Sequence, residues 1–281
     1  MAKKFNDLFK IKKEGVGPVN HIAFILDVSG SMGIISNEAL DNFNTQLRKI
    51  REKAIEQETY VTLVMFNGTV EIKFFKKDAR EVRELERYPF SGSTALNDAI
   101  GKTIGMFSSD IPELDDESLD HSALLFVITD GYENASMEFN KDKIKKLIEM
   151  YEKKDNWTIT FMGGDIDTQG TAVQGMSFAI GNTMDFSNTK EGYINVKATM
   201  TSGIDSYYTS RSMGMKKTSN FFSEEVKQQG ELLKDKQVEG EMLKDEIEGK
   251  LLKPKKLEGE LLWKDKDQLN ENDYKEKKLN E

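Results

Sequence analysis

The chain has 281 residues and a formal net charge of -9, because 49 Asp and Glu residues outnumber 40 Lys and Arg residues. Such a balance lacks the positive surface that a phosphate backbone requires, so no nucleic-acid partner is expected. The absence of cysteine excludes disulfides, thiolate zinc sites and cysteine nucleophiles. Charged residues make up 32% of the chain, above the usual quarter, which predicts a strongly solvated segment.

Residues 1–17 are predicted to form an N-terminal arm outside the folded domain. The arm is basic at its start, but no apolar run follows, so a secretory signal is not expected. The sequence also has no stretch near the roughly 18 apolar residues of a membrane span, and no membrane partner is expected. Together with the lack of cysteine, these features favour a cytoplasmic location.

Six apolar runs have the length of β-strands. Four of them are apolar on both faces, which is typical of strands covered by helices on both sides of a sheet. The third run alternates and follows the turn signal Asn67-Gly68-Thr69, which predicts an antiparallel edge strand. The runs lie at residues 21–26, 60–66, 70–74, 123–128, 157–162 and 184–186.

Helical stripes of apolar residues, spaced three and four apart, fill the gaps between these runs. They lie at residues 40–50, 96–107, 144–151 and 193–207. Alternating strands and helices predict an α/β fold with a doubly wound, mostly parallel six-stranded sheet, one antiparallel edge strand and helices on both faces. We assign this pattern to one domain, residues 18–212.

Residues 213–281 are predicted to form a tail rich in Lys and Glu. A short repeat of the type Gly-Glu-Leu-Leu-Lys begins at Gly230, Gly240, Gly249 and Gly259. The spacing of nine or ten residues fits no heptad, and each Gly would cost a helix roughly 1 kcal/mol. A disordered charged tail and a small β module both remain open.

Five oxygen-bearing side chains are predicted to meet at the carboxyl ends of the strands, where parallel sheets bind ligands. Asp27, Ser29 and Ser31 alternate after the first strand, Thr94 lies on a loop that opens a helix, and Asp130 ends another buried strand. Hard oxygen donors suit Mg²⁺, Mn²⁺ or Ca²⁺. Helix and loop capping is the alternative role for these residues, but capping does not explain why five donors gather there.

The order Asp-x-Ser-x-Ser, Gly-Ser-Thr and Thr-Asp-Gly resembles the metal-ion-dependent adhesion site of von Willebrand factor A domains. The resemblance covers most of residues 18–212. It implies that Ser29, Ser31 and Thr94 are hydroxyl ligands, and that Asp27 and Asp130 are carboxylate ligands, at least one of which can act through a water. It also implies that a partner protein's Asp or Glu fills an open position on the ion.

The function predicted from these motifs is that of a metal-dependent protein-interaction module without catalytic activity. Tyr132, Glu133 and Asn134 follow Asp130 and are predicted to form a partner-binding rim. One alternative is a structural or assembly component whose C-terminal repeats make the main contacts. A metal-dependent hydrolase is less favoured, because the sequence offers no nucleophile or base beyond the metal ligands.

Overall fold

The computed structural model describes residues 17–234. Most of the predicted N-terminal arm, residues 1–16, lies outside the described part, and so do the repeat copies that begin at Gly240, Gly249 and Gly259. Among the described residues, no helix is both long and apolar enough to cross a membrane.

The six predicted strands form a single sheet, with the order β3-β2-β1-β4-β5-β6. Strands β2 and β3 pair antiparallel, and all other neighbours pair parallel. This confirms the predicted fold class, including the antiparallel edge strand. The strands are β1 Val19–Asp27, β2 Thr59–Phe66, β3 Val70–Asp78, β4 His121–Thr129, β5 Trp157–Gly164 and β6 Thr183–Phe186.

Helices cover both faces of the sheet, as the doubly apolar strands require. Along β1, Ile22, Phe24 and Leu26 lie in one core, whereas Ala23 and Ile25 lie in the other. Helices α1 and α4 close the first core, and α2 and α3 close the second. The helices are α1 Ser36–Lys53, α2 Leu96–Asp110, α3 Lys141–Glu152 and α4 Lys190–Ser212.

The strand order reverses at β1, which has β2 on one side and β4 on the other. At such a switch point the neighbouring connections leave in opposite directions and open a crevice beyond the strand ends. Asp27 ends β1 at this crevice, and Asp130 follows β4 there. The topology therefore brings Asp27 and Asp130 from distant parts of the sequence to the same edge of the sheet. Ser31, in the turn after β1, hydrogen-bonds to Asp130 across a sequence separation of 99.

In the structure, the first part of the predicted tail packs on the domain. Phe221, Phe222 and Val226 are buried, and the two phenylalanines belong to the core beneath α4. The Phe222 NH donates to the carbonyl of Gly181, just before β6 (2.9 Å). The average composition of the segment, dominated by Lys and Glu, conceals this apolar pair, so the core extends beyond residue 212.

A fifth helix, α5, covers residues 224–234 of the described chain. It contains the first repeat glycine, Gly230, which is buried against α4. A Cβ at this position would lie 3.0 Å from the Cα of Thr199, so glycine permits the close approach of the two helices. The first repeat copy thus begins in a helix, although the sequence pattern favours either a disordered chain or a strand.

Replacing Phe221 with Ala should lower the free energy of unfolding by about 3 to 5 kcal/mol, because a buried ring contact with Phe126 is lost and a cavity remains. Chemical denaturation followed by circular dichroism measures this change. As a control, Leu232→Ala on the exposed side of α5 should change stability by less than about 0.5 kcal/mol. Equal stabilities for Phe221→Ala and wild type would contradict the extended domain boundary.

Candidate metal centre

All five predicted ligand residues lie at the carboxyl edge of the sheet. Asp27 is the last residue of β1, and Ser29 and Ser31 lie in the turn that follows. Thr94 precedes α2 by two residues, and Asp130 directly follows β4. The five residues therefore lie at the end of the sheet, in or next to the loops after β1 and β4 and the loop before α2, and not within its two cores.

A continuous series of hydrogen bonds joins four of these residues. The Ser29 NH donates to Asp27 Oδ1 (2.7 Å), and the Oγ atoms of Ser29 and Ser31 lie 3.1 Å apart. The Ser31 hydroxyl in turn donates to Asp130 Oδ1 (2.6 Å). Hydroxyls and carboxylates are therefore already within bonding distance of one another, as ligands around one small ion must be.

Thr94, the fifth residue, faces the same space from the other side. A Cβ placed on Gly131 would lie 3.1 Å from Thr94 Oγ1 and 3.8 Å from Asp27 Oδ2. A side chain at position 131 would therefore press on the Thr94 hydroxyl and reach the Asp27 carboxylate. Glycine avoids this contact with two of the candidate ligands.

Three residues that sequence reasoning missed hydrogen-bond to Asp27 and Asp130, two of them to the carboxylates and one to the backbone. The Thr129 hydroxyl donates to Asp27 Oδ2 (2.6 Å), and the Asn188 amide donates to Asp130 Oδ2 (2.8 Å). The buried Tyr88 hydroxyl donates to the backbone carbonyl of Asp27 (2.6 Å). Thr129 belongs to the Thr-Asp-Gly motif and could have been found there, but Tyr88 and Asn188 reach the site only through the tertiary fold.

Asp27 is fully buried, and this burial raises its pKa from 3.8 to about 6. The hydrogen bonds from Thr129 and Ser29 oppose this shift, whereas the nearby charge of Asp130 adds to it. A carboxylate that has lost its hydration is destabilised unless a positive charge compensates it. Among residues 17–234, the groups that hydrogen-bond to the Asp27 carboxylate are neutral, so a cation bound there would compensate its charge.

The donor set fits a hard divalent cation. It consists of two carboxylates and three hydroxyls, which suits Mg²⁺, Mn²⁺ or Ca²⁺ and lacks the nitrogen and sulfur ligands preferred by zinc and copper. Among residues 17–234, no group of three or more His, Cys, Asp or Glu side chains is placed to hold a metal. Any ion held at this edge of the sheet would consequently depend on the hydroxyls of Ser29, Ser31 and Thr94.

The predicted rim residues have different roles in the structure. Tyr132 is exposed, and its hydroxyl accepts a hydrogen bond from the Asp167 NH (3.1 Å). Asn134 instead holds the ligand loop, because its Oδ1 accepts from the Thr94 NH (2.9 Å) and its own NH donates to the Thr94 carbonyl (3.0 Å). Of these two residues, Tyr132 is exposed to solvent and Asn134 positions the candidate ligand Thr94.

Glu133, the third rim residue, has a carboxylate occupied within the domain. It accepts from the backbone NH of Asn97 (2.7 Å), at the start of α2, and from the NH of Ala135 (2.8 Å). The NH and hydroxyl of Ser136 donate to it as well, at 2.7 and 2.6 Å. Glu133 thereby links the loop after β4 to α2, and its carboxylate oxygens already accept hydrogen bonds within the domain.

A comparison with protein families matches residues 21–176 to the von Willebrand factor type A domain, which is more than half of the 281 residues. The chain therefore belongs to the von Willebrand factor type A family, as the resemblance of its motifs implies. No curated protein sequence matches the chain.

Several solved structures are similar to the chain at low identity. Proximal thread matrix protein 1 from the mussel byssus is 14% identical, over 64% of this chain and 44% of that chain, with a TM-score of 0.43. The ArnB paralog VWA2 from Sulfolobus acidocaldarius is 16% identical, over 67% and 45%, with a TM-score of 0.43. The manganese-loaded TRAP protein from Plasmodium vivax is 16% identical, over 60% and 68%, with a TM-score of 0.42. The match spans less than half the length of the first two proteins.

Replacing Asp27 with Asn should stabilise the metal-free protein at pH 7. Because the folded state raises the pKa of Asp27, its ionisation costs stability progressively as the pH rises from about 4 through about 6. Asn carries no charge and can donate to Thr129 Oγ1, so the free energy of unfolding should rise by about 1 to 3 kcal/mol.

Urea denaturation in EDTA between pH 4 and pH 7 measures this effect. The free energy of unfolding of wild type should decrease across that range because Asp27 ionises. The Asp27→Asn variant should not show this decrease. A variant that is less stable than wild type at pH 7 in EDTA would show that the Asp27 charge is compensated within the protein.

Proposed function

We propose that the domain binds one divalent cation, Mg²⁺ or its substitutes Mn²⁺ and Ca²⁺, and uses it to capture an acidic side chain of a partner protein. Asp27, Ser29, Ser31, Thr94 and Asp130 are the proposed ligands. The observation that carries the proposal is the gathering of hydroxyls and carboxylates at one edge of the sheet, where the Ser31 Oγ lies 3.1 Å from Ser29 Oγ and 2.6 Å from Asp130 Oδ1. Family membership supports the same reading, since domains of this family are often metal-dependent interaction modules.

The partner's route to the ion is proposed from the burial of the ligands. Asp27 and Ser29 lie on the buried side of the site, whereas Ser31 is exposed and Asp130 is half-buried. An ion at this site would therefore keep its solvent-facing positions on the side of Ser31 and Asp130. Mg²⁺ retains waters that an incoming carboxylate can replace, and two protein carboxylates leave room for a third.

We also propose that the domain is not an enzyme. Hydrolysis would need a base close to the ion, and histidine is the commonest residue in that role. His21 and His121 instead lie near the amino ends of β1 and β4, at the opposite end of those strands from the proposed site. The cytoplasmic location and the absence of a nucleic-acid or membrane partner stay predictions from the sequence.

Titration of the full chain with Mg²⁺ and Mn²⁺ in a calorimeter should give one binding site per chain. Asp27→Ala should abolish the heat of binding, and Gly131→Ala should weaken binding at least tenfold, because its methyl group would lie 3.1 Å from Thr94 Oγ1 and displace that proposed ligand. Asp185→Ala, which removes an exposed carboxylate on β6, is the matched control and should bind as wild type does. Identical binding by wild type and Gly131→Ala would place the ion elsewhere.

The affinity for the ion should decrease at acidic pH. Protons compete with the cation for Asp27, whose pKa of about 6 lies close to neutrality. We expect the apparent affinity for Mn²⁺ to be nearly constant from pH 7 to pH 8, and to fall about tenfold per pH unit below pH 6. Electron paramagnetic resonance of free Mn²⁺ measures this, and an affinity that is unchanged at pH 5 would contradict Asp27 as a ligand.

A further inference from the structure

Exposed apolar side chains lie on the loops that carry the candidate metal ligands. Ile34 is 83% exposed, Phe90 50%, Tyr132 55% and Met137 92%. We name these four residues the apolar rim. They come from the loops that carry Ser31, Thr94 and Asp130, so they lie on the same face as the candidate ligands. Large apolar side chains gathered on one surface indicate contact with a partner.

The loops of the apolar rim are held in place by the domain itself. The buried carboxylate of Asp98 accepts the NH of Met137 (2.9 Å) and the NH of Phe139 (2.8 Å). On the other side, the ring of Phe90 lies on Gly33, where a Cβ would come within 2.8 Å of it. A surface that is ordered before binding loses little entropy on association, so this face is suited to a direct docking role.

A ligand for this face must satisfy two requirements. It needs a carboxylate for the ion, and it needs large apolar side chains next to that carboxylate to cover the apolar rim. The repeats of the chain itself carry this combination. Glu231-Leu232, Glu241-Met242 and Glu260-Leu261 each place a carboxylate directly before an apolar side chain, and a second Leu follows in every case.

The copy that the structure describes presents this pair to solvent. Gly230 is buried against α4, whereas Glu231 is exposed and Leu232 is 63% exposed. Gly230 and Val226 are buried and hold α5 on the domain, and Glu231 lines a cavity together with Asp185 and Asn195. In this position Glu231 and Leu232 are open to a second chain.

We propose that the metal centre and apolar rim of one chain bind the Gly-Glu-Leu repeats of a second copy of the chain, so that the protein self-associates in a metal-dependent manner. The inference rests on the proposed function and names its partner. Three repeat copies with Glu give each chain several attachment points, which increases the effective concentration of ligand near a bound domain. The copy at Gly249 has Lys250 in place of Glu and is not expected to bind the ion.

Sedimentation velocity of the full chain at several concentrations tests this proposal. In Mg²⁺ the average mass should rise with concentration above the 32.0 kDa of one chain, and EDTA should return it to that value. The triple variant Glu231→Gln, Glu241→Gln and Glu260→Gln should associate at least tenfold more weakly. The triple variant Glu225→Gln, Glu246→Gln and Glu248→Gln is the matched control, because it removes the same charge from positions outside the Gly-Glu pairs.

Substitution of the apolar rim gives an independent readout. Met137→Ser should weaken self-association at least fivefold and leave the calorimetric affinity for Mg²⁺ unchanged, because the Met137 side chain is solvent-exposed and no ligand is altered. A purely structural effect would instead lower the thermal stability, which is measured on the same sample.

Each remaining outcome overturns a defined part of the argument. A chain that binds Mg²⁺ but stays monomeric at all concentrations overturns self-association and leaves the proposed function intact. Association that persists in EDTA overturns the role of the metal centre in self-association. Association that both triple variants lose equally overturns the role of the Gly-Glu pairs. A wild-type chain that binds no metal overturns the proposed function and this inference together.

Discussion

The buried carboxylate of Asp27 is the constraint on which the site depends. It is buried at the end of a central strand, where the Ser29 NH and the Thr129 hydroxyl donate to its two oxygens and the Tyr88 hydroxyl donates to the backbone carbonyl of the same residue. A protein interior tolerates such a group at neutral pH only if a compensating charge is available. The destabilised carboxylate and the proposed ion are therefore complementary. The same desolvation that lowers the stability of the metal-free domain would increase its affinity for a cation.

Two further carboxylates organise the loops around the candidate site. Glu133 and Asp98 both accept hydrogen bonds from backbone NH groups where α2 meets the loop after β4. Burial would raise the pKa of Asp98, but the backbone NH groups of Met137, Glu138 and Phe139 hold it below its usual value. These two residues fix the loop after β4 against α2, and the proposed docking face is built on that loop.

Much of the fold could be predicted because the periodicities are unambiguous. Strands such as β4, apolar on both faces, can only lie between two helical layers, and the turn at Asn67-Gly68 identifies the antiparallel edge. The motif that proposes Asp27, Ser29 and Ser31 as ligands is compact, since the three residues lie within five positions. The role of Asn188 could not be predicted in this way, because its contact with Asp130 spans 58 residues of sequence.

The prediction for residues 213–234 was limited by a different cause. Composition averages over a window, and two phenylalanines in a Lys- and Glu-rich stretch do not change that average. In the structure they close the core beneath α4, with the Phe221 ring 5.3 Å from that of Phe126. A chain shortened to residue 212, the domain end predicted from the sequence, would leave this part of the core open to water. Such a fragment would be expected to aggregate during expression, and its insolubility could be mistaken for an intrinsic property of the domain.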